Sequence, residues 1–285
     1  MTNISAAMSE ITRVAWWSLR ALGCPIGAVE RMAKVLAISE VLEGECLEAL
    51  RHDEGKLIES FKADEPQFVR KNVQYGIVDA SGRTFLDIGP RTVDLLTGIA
   101  KTSGAVRIRV RNASDLLGLS GACALAAHRG IPVLSIAMDD RTSSQLRWTL
   151  YVNTPSGIQT VSGSTGDGQS AILATLRSAG IASASLTDLL PAGEQDEIGD
   201  EPFALDLIGF APRETCEFGA DLANRANAEL HWTDVSAALR DAYANGISVE
   251  ASNLKFLYEL ETRAWAPSSE RSRLQAGFGA PSPAS

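Results

Sequence analysis

The chain has 285 residues, 45% of them hydrophobic, which suffices for a substantial core in one large domain or two modest ones. Its net charge of −9 argues against general nucleic-acid binding, because a phosphate backbone requires a basic surface. No apolar run approaches the roughly 18 residues that span a bilayer, and the N-terminus lacks the pattern of a secretion signal. We therefore predict a cytoplasmic protein whose partners include neither nucleic acid nor membrane.

The cysteines and histidines do not predict a metal centre. The four cysteines lie far apart and none forms a CxxC pair, so reduced, buried thiols are favoured over a disulfide framework or a zinc site. The three histidines also lack a Cys or His neighbour at metal-ligand spacing. We predict no bound metal.

Residues 1–64 form a predicted helical N-terminal region, because apolar residues recur there at helical spacing. The predicted helices cover residues 9–22, 28–42 and 45–61. Trp16 and Trp17 are adjacent, so both cannot lie at the centre of one apolar stripe. We expect one of them to pack on another element or on a partner chain, which makes a homo-oligomer one of the predictions.

Residues 65–211 form a predicted central α/β region of short strands and helices. A hairpin is predicted first, with strands at 72–78 and 84–88 around an Ala-Ser-Gly turn. Pro90 is expected to open a helix. The later elements are a hairpin of residues 145–152 and 158–161, a helix at 171–178 and a strand at 203–210.

The clearest pattern in this region is a strand, a helix and a second strand between Gly104 and Asp140. In the first strand, apolar residues alternate with arginines, so the two sets face opposite sides. The apolar set is Val106, Ile108 and Val110, and the arginine set is Arg107, Arg109 and Arg111. Two strands joined by a helix are normally parallel, with a right-handed crossover. The arginine face indicates an anion site or, as we favour, a solvated or ion-paired face on an edge strand.

Residues 212–266 form a predicted helical C-terminal region, and residues 267–285 a flexible tail rich in glycine and proline. The predicted helices cover residues 215–228, 235–244 and 252–265. The fold class is therefore α/β, or α+β, with a helical N-terminal region, a central mixed sheet that contains a β-α-β unit, and a helical C-terminal region.

The strand ends supply the candidate site, because ligands in α/β folds often bind outside the carboxyl ends of strands. The predicted ligand-binding residues are Arg111, Asn112, Asp139 and Asp140, and the candidate catalytic residue is Asp115. The chain has neither a GxGxxG motif after a predicted strand nor a GxSxG motif with a triad. The stretch GSTGDGQS at residues 163–170 has P-loop-like glycine spacing but Gln in place of the phosphate-binding Lys, so a simple loop before a helix is favoured.

Three stretches carry a resemblance to a known family. They read ISAAMSEITRVAWWSLRALGCPIGAVERMAKVLA near the start, SDLLGLSGACALAAHRGIPVLSI in the centre and APSSERSRLQAGFGA near the end. On these stretches the chain resembles an uncharacterised proteobacterial family, classed only as a domain of unknown function. This resemblance implies no activity.

A second resemblance lies in the stretch RNASDLLG, residues 111–118. It is similar to the motif Arg-Asn-Ser-x-His-Phe-Gly of the type-2 malate/lactate dehydrogenases, which ends a strand before a small-residue helix. Arg111 and Asn112 match this motif. Asp115 stands at the position of that family's catalytic histidine, and the early Ser-His-Gly motif of the family has no counterpart. The resemblance implies a nicotinamide-linked oxidoreductase, but an aspartate at pH 7 is a poor replacement for an imidazole acid/base.

Two functions follow from these observations, and the sequence leaves open whether the chain is an enzyme. The first hypothesis is a non-catalytic cytoplasmic protein that binds a small ligand or a partner subunit, since no metal set, triad or dinucleotide loop is present. The alternative is an oxidoreductase that uses NAD(P) and places Arg111, Asp115 and Asp139 in one cleft.

Overall fold

The computed structural model describes residues 2–138, 146–165, 169–181, 189–190, 204–212, 216 and 230–265. Within these ranges the chain forms a mixed α/β structure, as predicted. The helices are α1 (Met8–Ala21), α2 (Ile26–Glu43), α3 (Cys46–His52), α4 (Glu54–Lys62), α5 (Phe85–Ser103), α6 (Leu119–His128), α7 (Gln169–Ser178), α8 (Val235–Asn245) and α9 (Ala251–Trp265). The strands are β1 (Asn3–Ala6), β2 (Gln67–Arg70), β3 (Tyr75–Asp79), β4 (Ala105–Arg111), β5 (Val133–Met138), β6 (Leu146–Thr154), β7 (Gly157–Thr165), β8 (Ala204–Phe210), β9 (Leu230–Asp234) and β10 (Ile247–Glu250).

The large sheet has the strand order β2-β3-β4-β8-β5-β6-β7-β9 among the described residues. Strands β3 and β4 are parallel, whereas β8 is antiparallel to both of its neighbours, β4 and β5. Strands β4 and β5 therefore run in the same direction, as the β-α-β pattern predicts, but β8 lies between them. Val110 and Ala137 both face Leu205 in the register, so β4 and β5 end at the same edge of the sheet.

Both faces of the sheet are covered. On one face, apolar residues of β4 and β8 such as Ile108 and Leu207 join the larger hydrophobic cluster with α1, α2, α5 and α6. On the other face, Trp148 and Ile208 join a second cluster with Ile172 and other residues of α7. Cover on both faces explains the nearly continuous apolar sequence of β5.

Gly121 brings α6 unusually close to α2. A Cβ atom at this position would lie 2.3 Å from the carbonyl oxygen of Val35. The Gly121 N–H also donates to Ser39 Oγ at 2.9 Å. This close approach fixes the small-residue helix α6, which follows the candidate site, against the N-terminal helices.

The two ends of the chain pack together. Strand β1 pairs antiparallel with β10, and Ser18 Oγ of α1 donates to the Leu257 carbonyl of α9 at 2.9 Å. The Trp17 ring also contacts the Trp265 ring, with centroids 4.5 Å apart, and packs edge-on against Trp16. The adjacent tryptophans therefore have partners within the chain, and the homo-oligomer stays a prediction.

Several predicted elements need correction. Residues 84–88 are not a strand: the Thr84 side chain accepts a hydrogen bond from the Leu86 N–H and caps α5, in which Pro90 lies inside the helix. Strand β3 instead pairs with β2. The sequence did not predict β2, nor did it predict β1, β9 or β10. The predicted helix at 45–61 is two helices, α3 and α4, separated at Asp53. The predicted helix at 215–228 and the tail lie outside the described residues, apart from Cys216.

No helix in the described part of the chain combines the length and the hydrophobicity that crossing a lipid bilayer requires.

Candidate functional site

The candidate site lies at the edge of the sheet where the parallel strands β3 and β4 end. The two loops that follow these strands are joined by backbone hydrogen bonds. The Ala80 N–H donates to the Arg111 carbonyl, and the Gly82 N–H donates to the Asn112 carbonyl, both at 2.8 Å. In the opposite direction, the Ser114 N–H donates to the Arg83 carbonyl at 3.0 Å. The loops therefore form one connected layer rather than two independent turns.

Asp79 and Asn112 connect the side chains of these loops. Asp79 Oδ2 accepts from Asn112 Nδ2 at 2.9 Å, and Asp79 Oδ1 accepts from the Ser81 N–H at 2.8 Å. Asn112 and Ser81 have φ of 55° and 53°, and no other non-glycine residue in the described ranges has positive φ. Such conformations persist only where surrounding contacts enforce them, and they are common at functional sites.

Asp115 is the centre of a second group of hydrogen bonds and is half-buried. Its Oδ1 accepts from Thr84 Oγ1 at 2.6 Å and from the Leu117 N–H at 3.0 Å, while its Oδ2 accepts from Ser114 Oγ at 3.0 Å. Because Thr84 is the N-cap of α5, the carboxylate ties the loop after β4 to the start of that helix. Three donors hold the carboxylate in one orientation.

Lys56 of α4 supplies a positive charge on the same side as Asp115. Its Nζ lies 2.7 Å from Asp53 Oδ1. The hydrogen bond to Asp53 raises the pKa of Lys56, and the charge of Asp115 raises it further. The neighbourhood of Asp115 therefore contains an exposed ammonium group, ion-paired with Asp53, as well as a fixed carboxylate.

The arginine face of β4 is ion-paired, but not on an edge strand. Strand β4 lies inside the sheet between β3 and β8. Arg107 and Arg109 are each 6% exposed and share the carboxylate of Asp206 on β8, with Arg107 Nε 2.8 Å from Oδ1 and Arg109 Nη2 2.9 Å from Oδ2. Arg107 also lies over the Tyr75 ring, 5.2 Å from its centroid. The edge-strand expectation is wrong because β8, from far along the sequence, inserts beside β4.

Arg111 lies on a different face from Asp115. By the alternation of the strand it shares the face of Arg107 and Arg109, whereas Asp115 contacts Thr84 at the start of α5. Helix α5 packs on the opposite face of β4. Arg111 is half-buried and pairs in register with Asp79. The structure thus groups Asn112 with Asp79, the register partner of Arg111, and groups Asp115 with Thr84 at the start of α5.

Asp139 and Asp140 lie outside the described residues. The strand that precedes them, β5, ends at the same edge as β4 with one strand between the two. Adjacent strands lie about 4.8 Å apart, so the ends of β4 and β5 are separated by roughly 10 Å.

The loop between β3 and α5 does not fit the diphosphate of a dinucleotide. A diphosphate bound at a helix start needs backbone N–H groups that point at it. All four N–H groups of residues 80–83 already donate to protein acceptors. The N–H groups of Thr84 and Leu86 donate to Ser60 Oγ and Thr84 Oγ1. The backbone N–H groups of this loop would therefore not hold the diphosphate of a nicotinamide cofactor.

The described residues contain no group of three or more His, Cys, Asp or Glu side chains arranged to hold a metal ion. The stretch at residues 163–170, for which anion binding was considered, is described only at its two ends. Strand β7 ends at Thr165 and helix α7 begins at Gln169. Its middle residues, 166–168, lie outside the described ranges.

Three residues of the site were missed from the sequence, namely Asp79, Thr84 and Lys56. Asp79 and Thr84 were missed because residues 84–88 were interpreted as the second strand of a hairpin. A Thr before an apolar run with an Asp three residues later is also a helix-start pattern, and Thr84 and Asp87 show it. Lys56 carries no local signal, because its neighbour Asp115 is distant in sequence.

Comparison with known proteins gives matches only among solved structures. No protein-family model matches the chain, and no curated protein matches it significantly. The resemblance to the proteobacterial family of unknown function is therefore not supported.

The similar solved structures share the fold over nine-tenths or more of this chain. Malate dehydrogenase from Pyrococcus horikoshii OT3 has a TM-score of 0.64 at 14% identity, over 93% of this chain and 97% of that chain. Δ1-piperideine-2-carboxylate reductase from Pseudomonas syringae pvar. tomato has a TM-score of 0.59 at 14% identity, over 90% and 99%. Sulfolactate dehydrogenase from Methanocaldococcus jannaschii has a TM-score of 0.58 at 10% identity, over 92% and 97%. At these identities the likeness shows the fold, which agrees with the resemblance of residues 111–118 to the malate/lactate dehydrogenases.

These matches overturn the first functional hypothesis, a protein that binds without catalysis. The similar structures are dehydrogenases and a reductase, which favours the oxidoreductase alternative. The non-catalytic hypothesis rested on the absence of a metal-ligand set, a catalytic triad and a dinucleotide-binding loop from the sequence. Short motifs report only the particular loops that carry them, whereas the fold depends on the pattern of the whole chain.

Proposed function

We propose that the chain is an oxidoreductase of the dehydrogenase class that acts on a small carboxylate-bearing substrate, a 2-hydroxy or 2-oxo acid, with NAD(P) as the electron carrier. The observation that supports this proposal most is the extent of the fold likeness, which covers 93% of this chain and 97% of the malate dehydrogenase. Malate, sulfolactate and Δ1-piperideine-2-carboxylate, the compounds in the names of the similar structures, each carry a carboxylate.

In this proposal Asp115 is the candidate catalytic residue. It follows a strand end in a half-buried position, and its fixed carboxylate can accept a hydrogen bond from a substrate hydroxyl. A carboxylate is ordinarily a weaker base than an imidazole at neutral pH, so Asp115 would orient the hydroxyl more than it drives proton removal. Lys56 is a nearby cation that can balance a substrate carboxylate.

Arg111, Asn112, Asp139 and Asp140 are the proposed ligand-binding residues at the same edge of the sheet. Asn112 is exposed and held by Asp79, so it presents a fixed amide to a ligand. Arg111 faces the opposite side of the sheet from Asp115. Asp79, which holds Asn112, is the register partner of Arg111, so a ligand bound at Asn112 would lie on the side of Arg111.

A nicotinamide cofactor, when bound, supplies hydride exchange. The N–H groups of residues 80–83 already donate to protein acceptors and cannot bind its diphosphate. We therefore do not place the diphosphate of the cofactor on the backbone of the β3–α5 loop. No chemical step of the proposal depends on a contact there.

A thermal-shift screen of the full chain tests the proposal. The compounds are NADH, NADPH, a set of 2-oxo and 2-hydroxy acids, and inorganic phosphate as the control anion. A ligand at a hundred times its dissociation constant adds about 2.7 kcal/mol to the free energy of unfolding, which raises the melting temperature measurably. We expect a rise with one reduced nicotinamide and not with phosphate. The absence of any rise with both nicotinamides would contradict the proposal.

A further inference from the structure

Strand β2 is an edge strand of the large sheet, with β3 as its neighbour among the described residues. All four of its residues, 67–70, are exposed. Phe68 and Val69 are 38% and 47% exposed, and Val73 in the following turn is 62% exposed. An edge strand presents unpaired backbone groups and can pair with a strand of another chain. The apolar side chains gathered at this edge favour such a pairing.

The pairing of β2 with β3 determines which backbone groups of β2 face outward. The Lys71 N–H donates to the Tyr75 carbonyl at 3.0 Å, so these opposite residues form a hydrogen-bonded pair. Hydrogen-bonded and non-hydrogen-bonded pairs alternate along an antiparallel ladder, and the register of β2 on β3 is continuous. The backbone of Val69 therefore bonds to β3, whereas the N–H and C=O groups of Phe68 and Arg70 point away from the sheet. These two residues each offer one donor and one acceptor to another strand.

The sequence of β2 favours one register for pairing with its own copy. An antiparallel pair of β2 strands must place Phe68 and Arg70 opposite each other or opposite their own copies, since only these residues of β2 have outward-facing backbone groups. With Phe68 opposite its copy, Arg70 would face Pro66, which has no N–H to donate. With Arg70 opposite its copy, two guanidinium groups would repel each other. With Phe68 opposite Arg70, each of the two pairs can form both of its backbone hydrogen bonds.

We propose that β2 pairs antiparallel with β2 of a second copy of this chain, about a two-fold axis beside Val69, so that two sheets join into one. Phe68 of each copy lies opposite Arg70 of the other. Gln67 lies opposite Lys71, so no like charges meet across the pair. A two-fold pairing of this kind closes at two copies. Because a strand of four residues makes a small interface, the dimer dissociates on dilution. The inference is independent of the proposed oxidoreductase function.

Cysteine cross-linking of the full chain tests this register. Opposite residues of a non-hydrogen-bonded pair have Cα atoms about 4.5 Å apart, which suits a disulfide, so Val69→Cys should link to its copy under mild oxidation. Gln67→Cys is the matched control. It is exposed on the same face of β2, but its copy would lie four residues away along the strand, about 14 Å. We expect Val69→Cys to cross-link at least about tenfold faster than the control. Equal rates, or no cross-linked dimer of Val69→Cys, would overturn the proposal.

Analytical ultracentrifugation tests the association itself. The mass of the wild type should rise with protein concentration from that of a monomer to that of a dimer. Arg70→Pro removes an outward N–H and should prevent association, while β2 stays in the sheet because this N–H does not bond to β3. Arg70→Ala removes the same charge but keeps the N–H, and should still associate. A wild type that is monomeric at all concentrations, a species larger than a dimer, or full association of Arg70→Pro would each overturn the proposal. The cross-linking test applies even if Arg70→Pro does not fold.

Discussion

Charged residues in the middle of strand β4 and just beyond its end differ in their burial and in their hydrogen-bond partners. In its middle, Arg107 and Arg109 share the carboxylate of Asp206 inside the sheet, and all three are at least nine-tenths buried. Beyond its end, Asp115 accepts hydrogen bonds from uncharged donors at a half-buried edge. The first group is buried and ion-paired within the sheet, whereas the second lies where ligands bind in this class of fold.

This difference shows why charge alone does not identify a site. The alternating arginines are the most conspicuous charged pattern in the sequence, and the structure gives them a buried ion-paired role. Asp115 is an ordinary residue in a short loop, and only its position after a parallel strand singles it out. Substitutions can separate the stabilising role of the buried group from the proposed functional role of the half-buried Asp115.

The largest effect is expected for Asp206→Ala. The change removes the carboxylate that two buried guanidinium groups share, and loss of one partner from a buried ion pair typically costs about 3–5 kcal/mol of unfolding free energy. Urea denaturation measures the loss. Glu30→Gln, which breaks an exposed pair with Lys34, is the control and should change the midpoint very little. A loss for Asp206→Ala as small as the control's would contradict the buried ion-pair network.

The next effect is expected for Asp115→Ala. It removes the acceptor of three hydrogen bonds and leaves the Leu117 N–H and the Thr84 hydroxyl to find new partners. We expect a loss of about 1–3 kcal/mol in unfolding free energy, again by urea denaturation. Asp115→Asn is the matched control, since its amide oxygen can keep the bonds to Thr84 and Leu117, and it should lose much less.

The same pair of variants separates stability from activity. If Asp115 orients the substrate, Asp115→Asn should lose turnover while its melting temperature stays near that of the wild type. Wild-type turnover in Asp115→Asn, together with a destabilised Asp115→Ala, would show that the residue only holds the loop to α5.

A smaller effect is expected at Asn112. Its positive φ of 55° disfavours residues with a Cβ, and asparagine tolerates this conformation better than alanine. Asn112→Ala should cost about 1 kcal/mol, and Asn112→Gly should cost less because glycine adopts positive φ freely. Equal losses in thermal unfolding would mean that the bond to Asp79, which both variants lack, dominates.

The smallest effect is a pH dependence at the buried carboxylate of Glu40. Burial raises the pKa of Glu40 above its ordinary 4.5, although the Leu47 N–H donates to it at 2.8 Å and lowers the pKa in part. A raised folded-state pKa gives a stabilisation that is present below pH 4.5 and is lost as the pH rises through the raised value. The stability of the wild type relative to Glu40→Gln should therefore fall as the pH rises. Glu30→Gln should show the opposite trend, because Lys34 lowers the pKa of Glu30. A wild-type advantage over Glu40→Gln that is constant with pH would contradict the raised pKa.

The sequence was sufficient for the elements with strong periodicity and insufficient for their neighbours. The alternation of Val106, Ile108 and Val110 predicted strand β4 and its buried face, and the structure confirms both. Nothing near β4 in the sequence indicated Asp206, because the insertion of β8 depends on contacts across about a hundred residues. The burial of the arginines was unpredictable for the same reason.

The candidate site was predictable in part. The rule about strand ends led to Asp115 and Asn112, which the structure places in two adjoining hydrogen-bonded groups. Thr84 was not predicted as a site residue because the sequence TFLDI is compatible with a strand and with the capped start of a helix. The local pattern does not distinguish these two structures. The four-residue strands β1 and β10 were missed because a strand of that length shows too few alternations to be recognised.

Our proposal that this chain is a dehydrogenase-type oxidoreductase can be tested with an absorbance assay of reduced nicotinamide oxidation. Purified wild-type protein is mixed with NADH or NADPH and each member of a set of small 2-oxo acids, with Asp115→Asn in parallel. We expect oxidation that depends on one or a few of the acids in the wild type and is lost in the variant. A folded wild-type protein that oxidises neither cofactor with any acid of the set would contradict it.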